Sequence, residues 1–199
     1  AAFLDYGDIM DIVRELVIST INDLFVHRNK EMTLFENKQE ILIDKIPRIT
    51  YQKCLEDLKS LGEKIEFGVD LSDPALKKLG EIYPSFYFIT DWPTKLKPFY
   101  ILEHEKKPEL SRSFDLQYGY LEIVSGGTRE HHSERLRNKL VEKGLDPKSF
   151  SDHLHTFEWG MPPHSGCGLG FDRFMMMITN STNIREVVLY PRDTERLSP

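Results

Sequence analysis

The chain has 199 residues, 40% of them hydrophobic and 29% charged, with a formal net charge of −6. That length fits one domain with a sizeable core, and the balance is that of an ordinary globular chain. A membrane span is excluded, because no stretch approaches the ~18 consecutive apolar residues it needs, and the acidic balance argues against a broad basic grip on nucleic acid.

Residues 1–28 read as one amphipathic helix, with Ile9, Ile12, Val13, Leu16, Val17, Ile21 and Leu24 recurring on one face. A start inside a running helix suggests that the natural chain continues upstream. Residues 41–51 read as extended, with Pro47 at an edge or turn. Thr50 caps a helix that Gly62 stops. Asp73-Pro74 opens a short helix ending at Gly80. The aromatic and β-branched run 85–90 is a strand, and 99–102 a second one after the Asp91-Trp92-Pro93 turn.

Residues 114–124 (FDLQYGYLEIV) read as one long strand, ended or bent by Ser125-Gly126-Gly127. Helices follow at 131–143, closed by Gly144, and from Asp146-Pro147 to about Trp159. Residues 160–170 suit only a strand with close backbone approach. A Met-rich helix spans 171–179, its methionines reading as core, and 187–190 is a short strand. Strands clustered mid-chain, with few βαβ units, predict an α+β fold: a mixed, largely antiparallel sheet flanked by helices. The spacing of Gly166, Gly168 and Gly170 is not that of a dinucleotide fingerprint.

Two stretches carry chemistry. Gly168 to Phe174 opens a helix where glycines admit a ligand to the backbone, and Arg173 could lie over a purine and reach a phosphate. The same residues also fit a surface turn with Arg173 paired to Asp172. In the second, Glu122 and Ser125 straddle the predicted bend and could converge on a hard cation such as Mg²⁺, while Arg129 is a bidentate donor suited to a carboxylate. Asp115 could join as an outer metal partner only if the strand bulges. This stretch also fits a surface glutamate and arginine beside a hairpin. The pairs His131-His132 and His153/His155 face apart on helices and read as solvent-exposed histidines, not metal ligands. Cys54 and Cys167 have no metal-ligand spacing and suit a reducing cytoplasm.

Residues 166–173 (GCGLGFDR), followed by Asn183-Ile184-Arg185-Glu186 and Tyr190-Pro191-Arg192-Asp193, resemble motif 3 and the carboxyl end of class II aminoacyl-tRNA synthetases. The subgroup resembled is the one handling aspartate, asparagine and lysine. Residues 121–130 (LEIVSGGTRE), 159–165 (WGMPPHS) and 191–199 (PRDTERLSP) are similar to its archaeal and eukaryotic aspartyl type. The resemblance spans essentially the whole chain. It implies that Arg173 clamps ATP, with Gly170, Phe171 and Asp172 lining the nucleotide. Glu122 would bind ATP and Mg²⁺, Ser125 would touch metal and amino acid, and Arg129 would pair with the L-aspartate side chain.

The implied reaction is ATP-dependent formation of aspartyl-adenylate and transfer to tRNA, by an enzyme that is a homodimer when whole. The family's motif 1, motif 2 and anticodon-binding barrel do not occur in these 199 residues, so they are expected to be inactive alone. Lys97 before Pro98, where aspartyl enzymes more often show arginine, resembles the asparaginyl type. The alternatives are an asparaginyl-tRNA synthetase, a tRNA-independent asparagine-synthetase paralogue, and a non-catalytic synthetase-like module.

Overall fold

The computed structural model describes residues 1–35, 45–195 and 197. Its main sheet has five strands in the order β1 (Arg48–Thr50), β2 (Phe86–Thr90), β5 (Ser113–Tyr118), β6 (Leu121–Thr128) and β7 (Ser165–Leu169). The β1–β2 pair is parallel and every other neighbour antiparallel, as expected of a mixed sheet. β3 (Glu103–His104) and β4 (Lys107–Ser111) form a separate two-stranded ribbon.

Helix α1 (Tyr6–His27) starts at a capping box, where Asp5 and Asp8 exchange hydrogen bonds across the first turn. It buries Ile9, Met10, Val13, Val17 and Ile21 against Phe86, Phe88, Phe114 and Leu116 of the sheet. Each such side chain contributes roughly 1.5–3 kcal/mol on burial. The apolar stripe read from sequence is wider than the buried one: Ile12 and Leu16 are about half exposed. Short helix α2 (Asn29–Leu34) follows. The other face of the sheet carries α3 (Tyr51–Ser60) and α4 (Asp73–Ile82) on Tyr87, Ile89 and Trp92.

Thr50 caps α3 through its side chain, and Gly62 ends that turn at φ +86°, as the sequence predicts. α4 departs from the reading. Its cap is Ser72, with Asp73 already in the first turn, and it runs through Gly80 to Ile82. Gly80 serves close packing, since a Cβ there would sit 3.0 Å from the Gly119 and Tyr120 backbone. Residues 99–102 are not a strand; Ile101 makes one bridge to Arg129. Residues 187–190 form no strand, and only a 3-10 turn at Ile184–Glu186 precedes them. The extended reading of 41–51 is met at Arg48–Thr50; residues 41–44 lie outside the described residues.

The main correction is at 114–124. These residues are the two arms of a hairpin, with Tyr118 paired to Leu121 across Gly119-Tyr120, and Gly119 at φ +55°. Ser125-Gly126-Gly127 continue β6 without ending it. The glycines are required by contact: a Cβ on Gly126 would lie 2.6 Å from Phe114 Cζ, and one on Gly127 2.7 Å from the Arg112 carbonyl.

The expected helices appear as α5 (Ser133–Glu142), with Gly144 behind it at φ +73°, and α6 (Ser151–Glu158) after a 3-10 turn capped by Asp146. α7 spans Phe171–Thr179 and buries Phe174, Met176, Met177 and Ile178. Among the described residues no helix is long and apolar enough to cross a membrane.

Candidate functional site

The register of β5, β6 and β7 collects the polar residues. Asp115 pairs with Ser125, Ser125 with Gly168, and Gln117 with Glu122. In a regular strand Glu122 and Ser125, three apart, would face opposite sides. Here Leu116 pairs with Val124 and Gln117 with Glu122, so Ile123 is a surplus residue, a β-bulge. The bulge puts Glu122, Ser125, Asp115 and Gln117 on one face. The bulge condition attached to Asp115 is thus met, on a neighbouring strand and not on the same one.

Charges on this face are close and few. Asp115 is 2% exposed and takes Lys97 Nζ at 2.6 Å on Oδ2, while its Oδ1 has no hydrogen-bond partner. Lys97 also lies 4.5 Å from the centre of the Trp92 ring. Burial pushes the Glu122 carboxyl above the ordinary carboxylate value and Asp115 pushes it further, with Lys97 and Arg173 pulling the other way. Arg173, at the start of α7, donates to the Glu122 carbonyl at 3.1 Å and has its Nη1 3.7 Å from Oε1 of the same residue. Its ion partner is therefore Glu122, from the neighbouring strand, and not Asp172. Gly170 caps α7 and donates its N–H to the Ile123 carbonyl at 2.8 Å, which ties the bulge to the helix. Phe171 and Asp172 are exposed at the same helix start.

Arg129 sits at the end of β6. Its guanidinium carbon is 4.7 Å from the centre of the Tyr100 ring, and Nη2 donates to the Gly166 carbonyl at 3.3 Å. Among the described residues no carboxylate lies within ion-pair distance of it. Lys97, Tyr100, Ser125, Arg129, Cys167 and Gly168 line one cleft of about 360 Å³. A larger cleft, about 650 Å³, opens between Tyr6, Asp91, His104 and Arg112 and contains none of the residues singled out from the sequence.

With this geometry in place, likeness to known proteins becomes informative. Residues 1–194 match the family model of tRNA synthetases class II (D, K and N). The chain belongs to that family. It is 43% identical over 198 residues to the aspartate–tRNA(Asp/Asn) ligase of Methanocaldococcus jannaschii, covering 100% of this chain and 45% of that protein. It is 44% identical over 197 residues to the aspartate–tRNA(Asp) ligase of Pyrococcus furiosus, covering 96% and 45%. Among solved structures, an aspartyl tRNA synthetase from Entamoeba histolytica superposes with a TM-score of 0.94 at 30% identity, covering 100% of this chain and 43% of that one. An asparaginyl-tRNA synthetase from Pyrococcus horikoshii gives 0.92 at 32%, covering 100% and 49%. The chain thus spans about half the length of the relatives it matches.

In this class II synthetase chain, Glu122, Ser125, Arg129, Gly170 and Arg173 come together around β6 and the start of α7. Lys97 and Tyr100 line the cleft with Arg129 and were not singled out for chemistry from the sequence. Gln117 shares the Glu122 face, buried with its Oε1 unpaired, which only the structure shows. Tyr100 and Lys97 arrive through non-local packing that no spacing encodes. The histidine reading needs one correction: His131 and His132 precede α5 in extended backbone, and their rings lie 4.0 Å apart. With buried Glu130 they form a group within 4.8 Å. Oε1 of Glu130 already accepts the His131 and His132 N–H groups at 3.1 Å each, and its Oε2 meets Arg135 Nε at 3.0 Å. A carboxylate so engaged by donors and a cation is poorly placed to receive a metal ion.

Proposed function

We propose that this chain is the amino-acid-binding half of the catalytic domain of an aspartate–tRNA ligase, working with ATP. The observation that carries this is Arg129: a half-buried guanidinium stacked on Tyr100, facing a cleft, with no carboxylate partner among the described residues. A half-buried cation without a counter-ion loses part of its hydration uncompensated, and a planar bidentate donor matches a carboxylate. The side chain of L-aspartate supplies that partner.

Ser125, which lines the same cleft as Arg129, contacts the bound amino acid. Gly166 and Gly168 make a floor without side chains on which the substrate backbone can lie. Arg173 and the exposed Phe171 at the start of α7 hold the nucleotide, with Gly170 and Asp172 beside them. The α-carboxylate oxygen of aspartate attacks the α-phosphorus of ATP; a P–O bond forms and the bond to pyrophosphate breaks. A terminal hydroxyl of tRNA then attacks the aspartyl carbonyl of the resulting adenylate; an ester bond forms, the bond to AMP breaks, and AMP leaves with the hydroxyl proton released. No covalent enzyme nucleophile is needed, since positioning and charge stabilisation suffice.

The donor set fits Mg²⁺: Glu122 is half-buried, its charge disfavoured by burial and then by Asp115, and Asp115 keeps one buried oxygen unpaired. Glu122 and Ser125 would hold the ion, which when bound neutralises phosphate charge. tRNA contact and homodimer formation belong to the whole protein, acting in the cytoplasm. An asparagine-specific site is the second reading, favoured by Lys97 and by the asparaginyl likeness.

The test is Arg129→Leu in the full-length protein. Loss of a charge-assisted pair should lower kcat/KM for aspartate at least ~100-fold, while ATP binding changes little. Aspartate activation surviving within a few-fold, or ATP binding falling as far, defeats the reading.

A further inference from the structure

Glu130 does not line the cleft. Its side chain has no exposed surface, although it follows Arg129 directly. Just past β6, Arg129 lines the cleft, whereas Glu130 meets α5. Its Oε2 lies 3.0 Å from Arg135 Nε and 3.7 Å from Lys139 Nζ, both on α5. Arg135 also meets Glu103 at 2.7 Å, and Lys139 bonds the same Glu103. Lys139 further donates to the Ile101 carbonyl at 2.7 Å.

Through Glu103 and the Ile101 carbonyl, Arg135 and Lys139 reach the segment that carries Tyr100. The Glu130 N–H donates to the Tyr100 carbonyl at 2.9 Å, Ile101 bridges Arg129, and Leu102 N–H donates to Thr128 at 2.8 Å. The network therefore fixes α5, the end of β6 and the 100–103 segment against one another. The cation–π pair of Arg129 and Tyr100 stands on two of those three pieces. A fully buried carboxylate such as Glu130 is rarely the best route to stability, because desolvation offsets much of the attraction. Direction comes from the hydrogen bonds of Arg135 and Lys139 to Glu103 and of Lys139 to the Ile101 carbonyl, while Glu130 Oε2, without a hydrogen bond of its own, holds both cations by charge.

We infer that Glu130 is a positioning residue for amino-acid recognition, holding the Arg129–Tyr100 pair in register through Arg135, Lys139 and Glu103. This inference rests on the proposed role of Arg129 as the carboxylate reader. It predicts a defect confined to aspartate, and a defect that acts through Arg129.

The experiment is steady-state activation kinetics on the full-length protein with Glu130→Gln, Arg129→Leu, Arg129→Lys and the double variant Arg129→Lys/Glu130→Gln. Glu130→Gln should raise KM for aspartate about tenfold, with kcat and KM for ATP within about threefold, and the double variant should be no more than about twofold worse than Arg129→Lys alone. If Glu130→Gln does not fold, Lys139→Met releases Ile101 and Glu103 and carries the same expectation. An unchanged KM for aspartate, an equal rise in KM for ATP, or full additivity in the double variant overturns the inference. If Arg129→Leu leaves aspartate activation intact, the reading of Arg129 falls and this inference with it. A severe Arg129→Leu defect beside a silent Glu130→Gln overturns this inference alone.

Discussion

Tyr100 lies under Arg129, its ring centre 4.7 Å from the guanidinium carbon, although the two are 29 positions apart in the chain. The contact both orients the guanidinium and removes one of its faces from water. A cation–π contact contributes ~0.5–2 kcal/mol, according to its desolvation. Tyr100→Leu should therefore raise KM for aspartate roughly 3- to 30-fold, whereas Tyr100→Phe, which keeps the ring, should stay within about twofold. Steady-state kinetics of the two variants in the full-length protein decides it: equal effects would locate the contribution in the hydroxyl and not in the ring.

The glycines of the site divide by what surrounds them. At Gly126 a Cβ would meet Phe114 Cζ at 2.6 Å, Cys167 Cβ at 2.7 Å and the Gly166 carbonyl at 2.7 Å, while at Gly168 it would meet nothing within 4 Å. Gly126→Ala should cost roughly 1–3 kcal/mol of folding stability through overpacking, and Gly168→Ala almost none. Gly168 lines the cleft, so Gly168→Ala should weaken substrate binding at unchanged melting temperature. Thermal denaturation and aspartate KM, measured on both variants, separate the two roles.

Glu122 has a pH signature whose sign follows from its surroundings. Its carboxyl is raised in the folded chain by burial and by Asp115, whereas the unfolded chain titrates near the ordinary 4.5. A raised carboxyl makes the charged form a cost to the folded state. That cost is complete above the folded pKa and disappears as pH falls below the unfolded one. Without nucleotide, Glu122→Gln should thus raise the melting temperature at pH 7, and the gain should shrink to nothing as pH falls below 4.5. The half-exposed side chain keeps the effect small. A variant less stable than the parent at pH 7 would contradict this account.

The 199 residues alone should not support aspartate-dependent exchange between ATP and pyrophosphate. They match 45% of the length of their curated relatives, and the phosphate-side arginine among the proposed residues is Arg173. Adding the remainder of the protein should restore exchange. Exchange by the isolated chain would mean that the cleft around β6 is a complete site.

Much of the architecture was legible because it rests on local signals. α7 has the bounds read from sequence, since glycines end β7 and apolar spacing marks the helix face. Thr50, Gly62 and Gly144 act at the helix ends where a cap or a left-handed residue was expected. The hairpin at 114–128 was hidden because aromatic and apolar residues continue through Tyr118, Tyr120 and Leu121, masking the turn. Gly119 was its one local mark. The chemistry of Glu122, Ser125 and Arg129 could be named from residue types and from family resemblance. Their convergence could not, because it depends on a bulge that shows only in the pairing of β6 with β5. Lys97 and Tyr100 reach the site from a segment whose backbone is fixed by Thr128, Arg129 and Lys139, and long-range contacts of that kind leave no periodicity.

The bulge at Ile123 has a consequence for anyone transplanting this chemistry. Copying Glu122 and Ser125 at their spacing onto a flat sheet of another scaffold would send one carboxylate into solvent and the hydroxyl into the opposite layer. The transferable unit is the pair together with its surplus residue and the helix whose first N–H, on Gly170, clasps the Ile123 carbonyl. A deletion of Ile123 would restore regular alternation and place Glu122 and Ser125 on opposite faces.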